Sequence, residues 1–368
     1  MRINSIQSNS FKGYDARPLK GFFMGSNTYG IADEMKRIGD KEGFKIYAKI
    51  RNSRGSFCNS TIPRLSPFGS TKDLWAQDII TFGRDRLLSY ANFNETTSIC
   101  NFFHVKRVLA PRHISGGNFF IVDNEGNEEL FIGKNELAKT TPQDLKELYG
   151  VSKIHILPQM DYHLDLFIRP LNKKRILVAD DELSLKILEN GFQQFKEFIK
   201  HKKLEKNLTA QSIMHKFEDL ILGFRFDSSI NNNPKASEIV KIIKLAGFDP
   251  IPVPGRIYTT NPQKDDNALL SHDCNYMNAN VLTNKNGDLV YITNKSNIDK
   301  VLGLETDFTK DFDFRFEKEF VKSISPYIKP EKVYFIDGED NYISKIMLKE
   351  MMGGIHCTCS EIPENIGI

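Results

Sequence analysis

Cys357 follows Gly353-Gly354-Ile355-His356 and precedes Thr358-Cys359, so a thiol sits just past a glycine pair at the end of an expected helix. That placement suits a nucleophile. Two more groups of polar residues interrupt strand-like apolar text, Trp75-Ala76-Gln77-Asp78 and Tyr162-His163-Leu164-Asp165. A thiol, an imidazole and two carboxylates together suggest guanidine chemistry. Hydrolysing a guanidinium requires attack on a resonance-stabilised cationic carbon by something more nucleophilic than water, and a thiolate meets that need.

The flat, five-donor cation must also be held with its carbon facing the sulfur. Carboxylates that accept paired hydrogen bonds do this best, which makes Asp78 and Asp165 the candidates. One group must protonate the leaving ammonia and later activate water, and His163 titrates in the useful range. On a strand, His163 and Asp165 at i and i+2 share a side. By the same rule His356 points away from Cys357, and reads as a packing or supporting residue.

The elements that must position these residues alternate along the whole chain. Strand-like text at 21–24, helical periodicity at 31–38 and a strand at 45–50 open it, after a polar arm over residues 1–20. A strand is expected from 73 to 82. A hairpin follows at 117–122 and 129–133, with its turn at 123–127. Thr141-Pro142 opens a short helix as N-cap and first helical residue. Strands are expected at 153–157, 163–171 and 175–178, and then a helical segment at about 181–232 that reads as an insertion. It ends at Asn231-Asn232-Asn233-Pro234. Further expectations are helical spacing at 239–245, strands at 250–253, 276–283 and 289–293, a helix near 316–325, a strand at 332–336, and a helix at 342–352 leading to Cys357. The alternation predicts an α/β fold, a single catalytic domain over 21–368, without a visible sequence repeat.

The 368 residues can bury a large core, and 40% hydrophobic with 11% aromatic residues describe a globular chain. Fifty basic against 47 acidic residues give a net charge of +3, too balanced to imply a nucleic-acid or membrane partner. The first twenty residues lack the apolar run of a secretory signal, and no stretch approaches a membrane span. A cytoplasmic location is expected, with non-classical export left open. Five cysteines, Cys58, Cys100, Cys274, Cys357 and Cys359, do not read as a disulfide framework. No second CxxC or paired histidine motif accompanies Cys357-Thr358-Cys359, so no metal ligation is expected there. Cys359 is either a resolving thiol or a small packing residue.

Trp75-x-Gln77-Asp78, His163-x-Asp165 and Gly353-Gly354-Ile355-His356-Cys357 occur in the order found in the pentein, or guanidino-group-modifying, superfamily, which the chain resembles over most of its length. The resemblance implies a five-bladed α/β propeller of pseudo-symmetric modules around a central site. Trp75-Ala76-Gln77-Asp78 with Phe82-Gly83 is similar to the protein-arginine deiminase branch. That implies an arginine-containing protein or peptide as substrate, with Cys357 as nucleophile, His163 as acid and base, and Asp78 and Asp165 holding the guanidinium. Gln77, Trp75 and Asn118 would be further substrate contacts. Agmatine and free-arginine deiminases share the His-x-Asp, the cysteine and a pattern like Tyr276-Met277-Asn278. Their Glu-Gly-Gly is replaced here by Ser115-Gly116-Gly117-Asn118, which favours the peptide reading. Ile79, Ile80 and Thr81 stand where the calcium-dependent branch has acidic residues, so no calcium and no other cofactor are expected.

Alternatives remain beside that reading: a deiminase of agmatine or free arginine, an amidinotransferase, a non-catalytic arginine binder, and a thiol protease. Two aspartates in the site oppose the last, because they would repel a developing oxyanion. The oligomeric state is not legible.

Overall fold

The computed structural model describes residues 18–24, 28–47, 49–51, 57–59, 75–83, 85–89, 94–110, 114–138, 140–172, 174–231, 234–260, 270–351 and 353–366. In chain order the elements are β1 (Leu19–Met24), α1 (Ile31–Glu42), β2 (Lys45–Tyr47), β3 (Lys49–Arg51), β4 (Phe57–Asn59), α2 (Ala76–Ile79), β5 (Ile80–Phe82), β6 (Arg86–Ser89), α3 (Asn94–Phe103) and β7 (Lys106–Leu109). Next come β8 (Phe119–Asn124), β9 (Asn127–Gly133), α4 (Pro142–Tyr149), β10 (Lys153–Leu157), β11 (Ile168–Pro170), β12 (Arg175–Ala179), α5 (Asp181–His201), α6 (Leu208–Asn231), α7 (Pro234–Leu245) and β13 (Asp249–Val253). The chain closes with β14 (Arg256–Thr260), β15 (Leu270–Asn275), β16 (Asn280–Thr283), β17 (Leu289–Asn294), α8 (Ile298–Leu302), α9 (Phe316–Ile324), β18 (Val333–Ile336) and β19 (Cys359–Pro363).

Among the described residues the strands form five three-stranded sheets, ordered β19-β1-β2, β5-β6-β7, β8-β9-β10, β11-β12-β13 and β16-β17-β18, and two hairpins, β3-β4 and β14-β15. One plan recurs. The central strand pairs antiparallel with one neighbour and parallel with the other. A parallel pair cannot be closed by a tight turn, so helical text must separate its strands. That requirement is met by α1, α3, α4, by α5 to α7, and by α8 with α9. The fold is thus mixed α/β built from small sheets.

Local sequence signals set the helix ends. Thr141 caps α4 by accepting the Asp144 amide at 3.1 Å, and Asp144 answers onto the Thr141 amide at 3.3 Å, a capping box with Pro142 in the first turn. Gly150 ends the same helix in the left-handed region, at φ 70°. Asp180 caps α5 by accepting the Leu183 amide at 2.9 Å.

The largest apolar cluster joins α5, α6 and α7 to the sheet β11-β12-β13 and the hairpin β14-β15. Phe195 from α5, Phe217 and Phe224 from α6 and Phe316 and Phe320 from α9 are fully enclosed there. Each such ring contributes roughly 1.5–3 kcal/mol of burial. The helical segment read as an insertion therefore occupies the crossover between β12 and β13, and α7 belongs to the same crossover. No helix among the described residues is long and apolar enough to cross a membrane.

Several expected elements differ. Residues 1–17 of the polar arm lie outside the described residues, and Leu19 and Lys20 belong to β1. The strand expected at 73–82 is a helical turn, α2, followed by only three strand residues. The strand expected at 163–171 begins with a 3-10 turn, Leu164–Leu166, and is extended only at β11. The strand expected at 276–283 is extended only from Asn280. The helix expected at 342–352 is a π-helical turn, Ile343–Met347, with Met352 outside the described residues.

Candidate active site

Five short irregular segments stand immediately before the first, antiparallel strand of each sheet. They are α2 before β5, Gly116–Asn118 before β8, residues 163–167 before β11, residues 276–279 before β16, and residues 355–358 before β19. Asp78, Gly117, His163 with Asp165, Asn278 and Cys357 each fall in one of them. Chemically distinct residues thus occupy one repeated structural station.

The Cys357 segment is a turn, closed by Thr358 N to Ile355 O at 3.2 Å and Cys359 N to His356 O at 3.0 Å. Three asparagines fasten it. Asn294 Oδ1 accepts the Ile355 amide at 2.7 Å, and Asn278 Oδ1 accepts the His356 amide at 2.9 Å. Asn275 Oδ1 in turn accepts the amides of Met277 and Asn278, both at 3.0 Å. This leaves Asn278 Nδ2 free to donate to Cys357 Sγ at 3.2 Å. A side chain at Gly354 would drive a Cβ to 2.7 Å from Asn278 Oδ1 and 2.5 Å from Asn294 Oδ1, so the glycine is what lets the asparagines reach the backbone.

His163 and Asp165 converge through the 3-10 turn rather than through strand alternation. Donor atoms of His163, Asp165 and Cys357 all lie within 4.8 Å of one another. Asp165, fully buried, accepts the Cys357 thiol at 3.2 Å and His356 Nδ1 at 2.8 Å, both on Oδ2. Its Oδ1 and both ring nitrogens of His163 have no hydrogen-bond partner. A Cβ at Gly117 would come within 2.5 Å of His163 Nδ1 and 2.9 Å of Asp165 Oδ1, so only glycine leaves these atoms their space. The half-exposed ring of Tyr162 lies over His163 at 4.2 Å.

Asp78 Oδ1 accepts the Gly116 amide at 2.6 Å, which ties two neighbouring stations together. Trp75 stands next to the nucleophile: a Cβ at Gly353 would meet its ring at 2.6 Å and Cys357 Sγ at 3.5 Å. Trp75 also rests on the apolar cluster of β1 and α1, so walling and packing are one role.

Two residues expected to contact substrate have partners within the protein. Asn118 Oδ1 accepts Gln159 Nε2 at 2.6 Å and the Leu164 amide at 3.1 Å, while Nδ2 donates to Glu136 at 3.0 Å. With both ends of its amide engaged in protein, Asn118 holds the His163 turn. Gln77 is buried with its Nε2 3.4 Å from His356 Nε2, while its Oε1 has no hydrogen-bond partner. The inference that His356 points away from the chemistry fails, because 355–358 is a turn and both His356 and Cys357 reach the same oxygen of Asp165.

Burial pushes the Cys357 thiol well above its ordinary value, and Asp165 and Asp78 add to the push. The Gly354 amide and the Asn278 side chain pull against it by hydrogen bonding to sulfur. A cation bound between the two carboxylates would remove most of that opposition. Cys359 is fully buried in the apolar cluster of β1, its thiol pushed up to about 12 by burial, which fits the packing role.

The structure brings Cys357, His163, Asp165, Asp78 and Trp75 to one site. Asn275, Asn294 and Glu361 were missed, and Asn278 had been noted only as part of a pattern. The available signal was positional: Asp78, Asn118, Asp165, Asn278 and Cys357 each stand two or three residues ahead of, or directly beside, the start of a strand.

No family model matches the chain, and no curated protein matches it. Among solved structures, a C. jejuni agmatine deiminase is similar at 13% identity and a TM-score of 0.48, with 95% of each chain covered. A variant of the C. jejuni agmatine deiminase solved with substrate bound is similar at 13% identity and a TM-score of 0.47, again over 95% of each chain.

Proposed function

We propose that the protein is a guanidino-group deiminase that hydrolyses the terminal carbon–nitrogen bond of an arginine-type substrate, with Cys357 as nucleophile. The observation that carries the reading is the set of buried, unpartnered atoms around the thiol: Asp165 Oδ1 and both nitrogens of His163. Buried polar atoms are ordinarily satisfied, and a guanidinium supplies the donors that a carboxylate oxygen lacks here. The five sheets of one plan, with a site built from the segment that precedes each, support arranging them as a five-bladed propeller around that site.

The chemistry follows in two halves. Guanidinium binding against Asp165 and Asp78 offsets their charge and lets the thiol pass its proton to His163. The thiolate attacks the central carbon to form a tetrahedral adduct, His163 protonates the departing nitrogen, and ammonia leaves a thiouronium on Cys357. His163 then takes a proton from water, the hydroxide adds to the same carbon, and collapse breaks the carbon–sulfur bond. A ureido product and free thiol remain. The Asn278 donor stabilises sulfur as it becomes charged at the start and again as it leaves.

The preferred substrate is arginine within a protein or peptide, on the likeness of residues 75–78 and 82–83. A second reading, a deiminase of agmatine or free arginine, is favoured by the depth of the site: Cys357 is 5% exposed, His163 6% and Asp165 0%, so only a slender group on a long stem reaches sulfur. Colorimetric citrulline formation from a blocked arginine peptide, set beside free arginine and agmatine with ureido-product detection, separates the two. Cys357→Ala should abolish turnover, and residual deimination by that variant would sink the mechanism. Calcium and chelator should leave the rate unchanged.

A further inference from the structure

Behind Asp165, on the side away from His163, lies a buried chain of charged groups that the reaction above does not use. Arg169, on β11, donates from Nη2 to Glu361 Oε1, on β19, at 2.6 Å. The same Glu361 oxygen faces His356 Nε2 at 3.6 Å, and His356 Nδ1 meets Asp165 Oδ2 at 2.8 Å. Arg169 also lies over the Phe120 ring at 5.1 Å, and Phe120 stacks on His356 at 5.4 Å, which fixes the imidazole plane. Arg169 is 3% exposed and His356 and Asp165 are fully buried.

We propose that Arg169, Glu361 and His356 form a positioning relay that orients Asp165 and sets the acidity of Cys357. The argument is first one of connection. β11 follows the turn that carries Asp165, and β19 follows the turn that carries Cys357, so the Arg169–Glu361 pair staples together the two strands that aim the reacting groups. Desolvating such a pair is costly, and its stabilising yield is small compared with an apolar replacement, so its position calls for another role.

The second part is electrostatic. His356 Nδ1 donates to Asp165 Oδ2 at 2.8 Å, while its Nε2 has Gln77 Nε2 at 3.4 Å and Glu361 Oε1 at 3.6 Å beside it. A donor held on Oδ2 draws charge from the oxygen that the thiol also reaches, which opposes the push that Asp165 exerts on the thiol, and it leaves Oδ1 without a protein partner. Glu361 fits this arrangement, its carboxyl held down at about 2 despite burial by Arg169 and His356. The other charged or titratable groups facing the thiol and Asp165 are Asp78 and His163, both on the substrate side.

The inference rests on Cys357 being the nucleophile, but its test needs no turnover. The rate of iodoacetamide alkylation of Cys357 in the unliganded full chain, resolved from the other cysteines by peptide mass spectrometry, is followed against pH for wild type, His356→Gln, Glu361→Gln and Glu361→Asp. His356→Gln removes the ring that holds Asp165 Oδ2, and should slow alkylation roughly tenfold at fixed neutral pH. Glu361→Gln should act in the same direction and Glu361→Asp should restore part of the loss. Unchanged profiles in folded His356→Gln and Glu361→Gln would overturn the relay. If neither variant folds, nitrogen NMR of histidine-labelled wild type decides: His356 should carry a proton on Nδ1, toward Asp165, and a bare Nδ1 overturns the proposal. A shifted alkylation profile in a protein that deiminates nothing would leave the relay standing and remove the proposed function.

Discussion

The side-chain amide of Asn278 is divided between the nucleophile and its backbone: Nδ2 donates to Cys357 Sγ at 3.2 Å while Oδ1 accepts the His356 amide at 2.9 Å. One residue therefore places the sulfur and stabilises its charge. A hydrogen bond to a charged group is worth about 1.5–3 kcal/mol, so Asn278→Ala should lower kcat/KM by roughly 10- to 100-fold. Steady-state kinetics on the best substrate, with circular dichroism to confirm folding, tests this; a loss under threefold would remove Asn278 from the chemistry.

Gly117→Ala inserts a methyl group 2.5 Å from His163 Nδ1 and 2.9 Å from Asp165 Oδ1. Both atoms must move, and a displacement of that size in a reacting pair costs about 100-fold in rate. The fold should survive, since the clash is with the functional atoms. Full activity in Gly117→Ala would show that these atoms need not hold their places.

Arg256 is enclosed with two carboxylates, reaching Asp181 at 2.9 and 3.1 Å and Asp161 at 3.2 Å. Asp161 also accepts His272 at 3.0 Å and, through its other oxygen, the Tyr162 amide at 2.7 Å, just ahead of His163. Removing one partner from such a cluster leaves buried charge uncompensated, at a cost of about 3–5 kcal/mol. Arg256→Leu should lower the urea midpoint accordingly. A midpoint within experimental error of wild type would contradict this.

Glu317 and Asp299 are pushed up by burial, to about 7 and about 6. Both values lie above those of the unfolded chain, so the native state binds more protons in between. Stability from this pair should thus be greatest below the unfolded carboxyl range and decline as pH rises through 7. Denaturation at pH 5 and pH 8 should show Glu317→Gln losing less stability across that interval than wild type. An equal or larger loss in the variant refutes the assignment.

The candidate site residues were readable because their types are rare in apolar text, as with Asp78 beside Trp75 or Cys357 after two glycines. Their geometry was not. Reading 163–165 as a strand led to the correct pair for the wrong reason, since a 3-10 turn and the absence of a Cβ at Gly117 bring them together. The partners of Asn118, namely Gln159, Leu164 and Glu136, are distant in sequence and invisible before folding. Helix boundaries with their own caps, such as Thr141 and Asp180, were legible locally. The recurring sheet plan was hidden because it repeats a connection pattern and not a set of residues.

The pairing of β1 with β19 fixes when the molecule becomes competent. The carboxylates and the imidazole belong to sheets whose strands are close in sequence, but the strand that follows the Cys357 turn pairs across almost the whole chain, Met24 with Cys359 and Leu19 with Pro363. Such a contact closes the longest loop in the fold and forms late for entropic reasons. Loop closure thus delays the seating of Cys357 relative to Asp78, His163 and Asp165, whose sheets close over short stretches of chain.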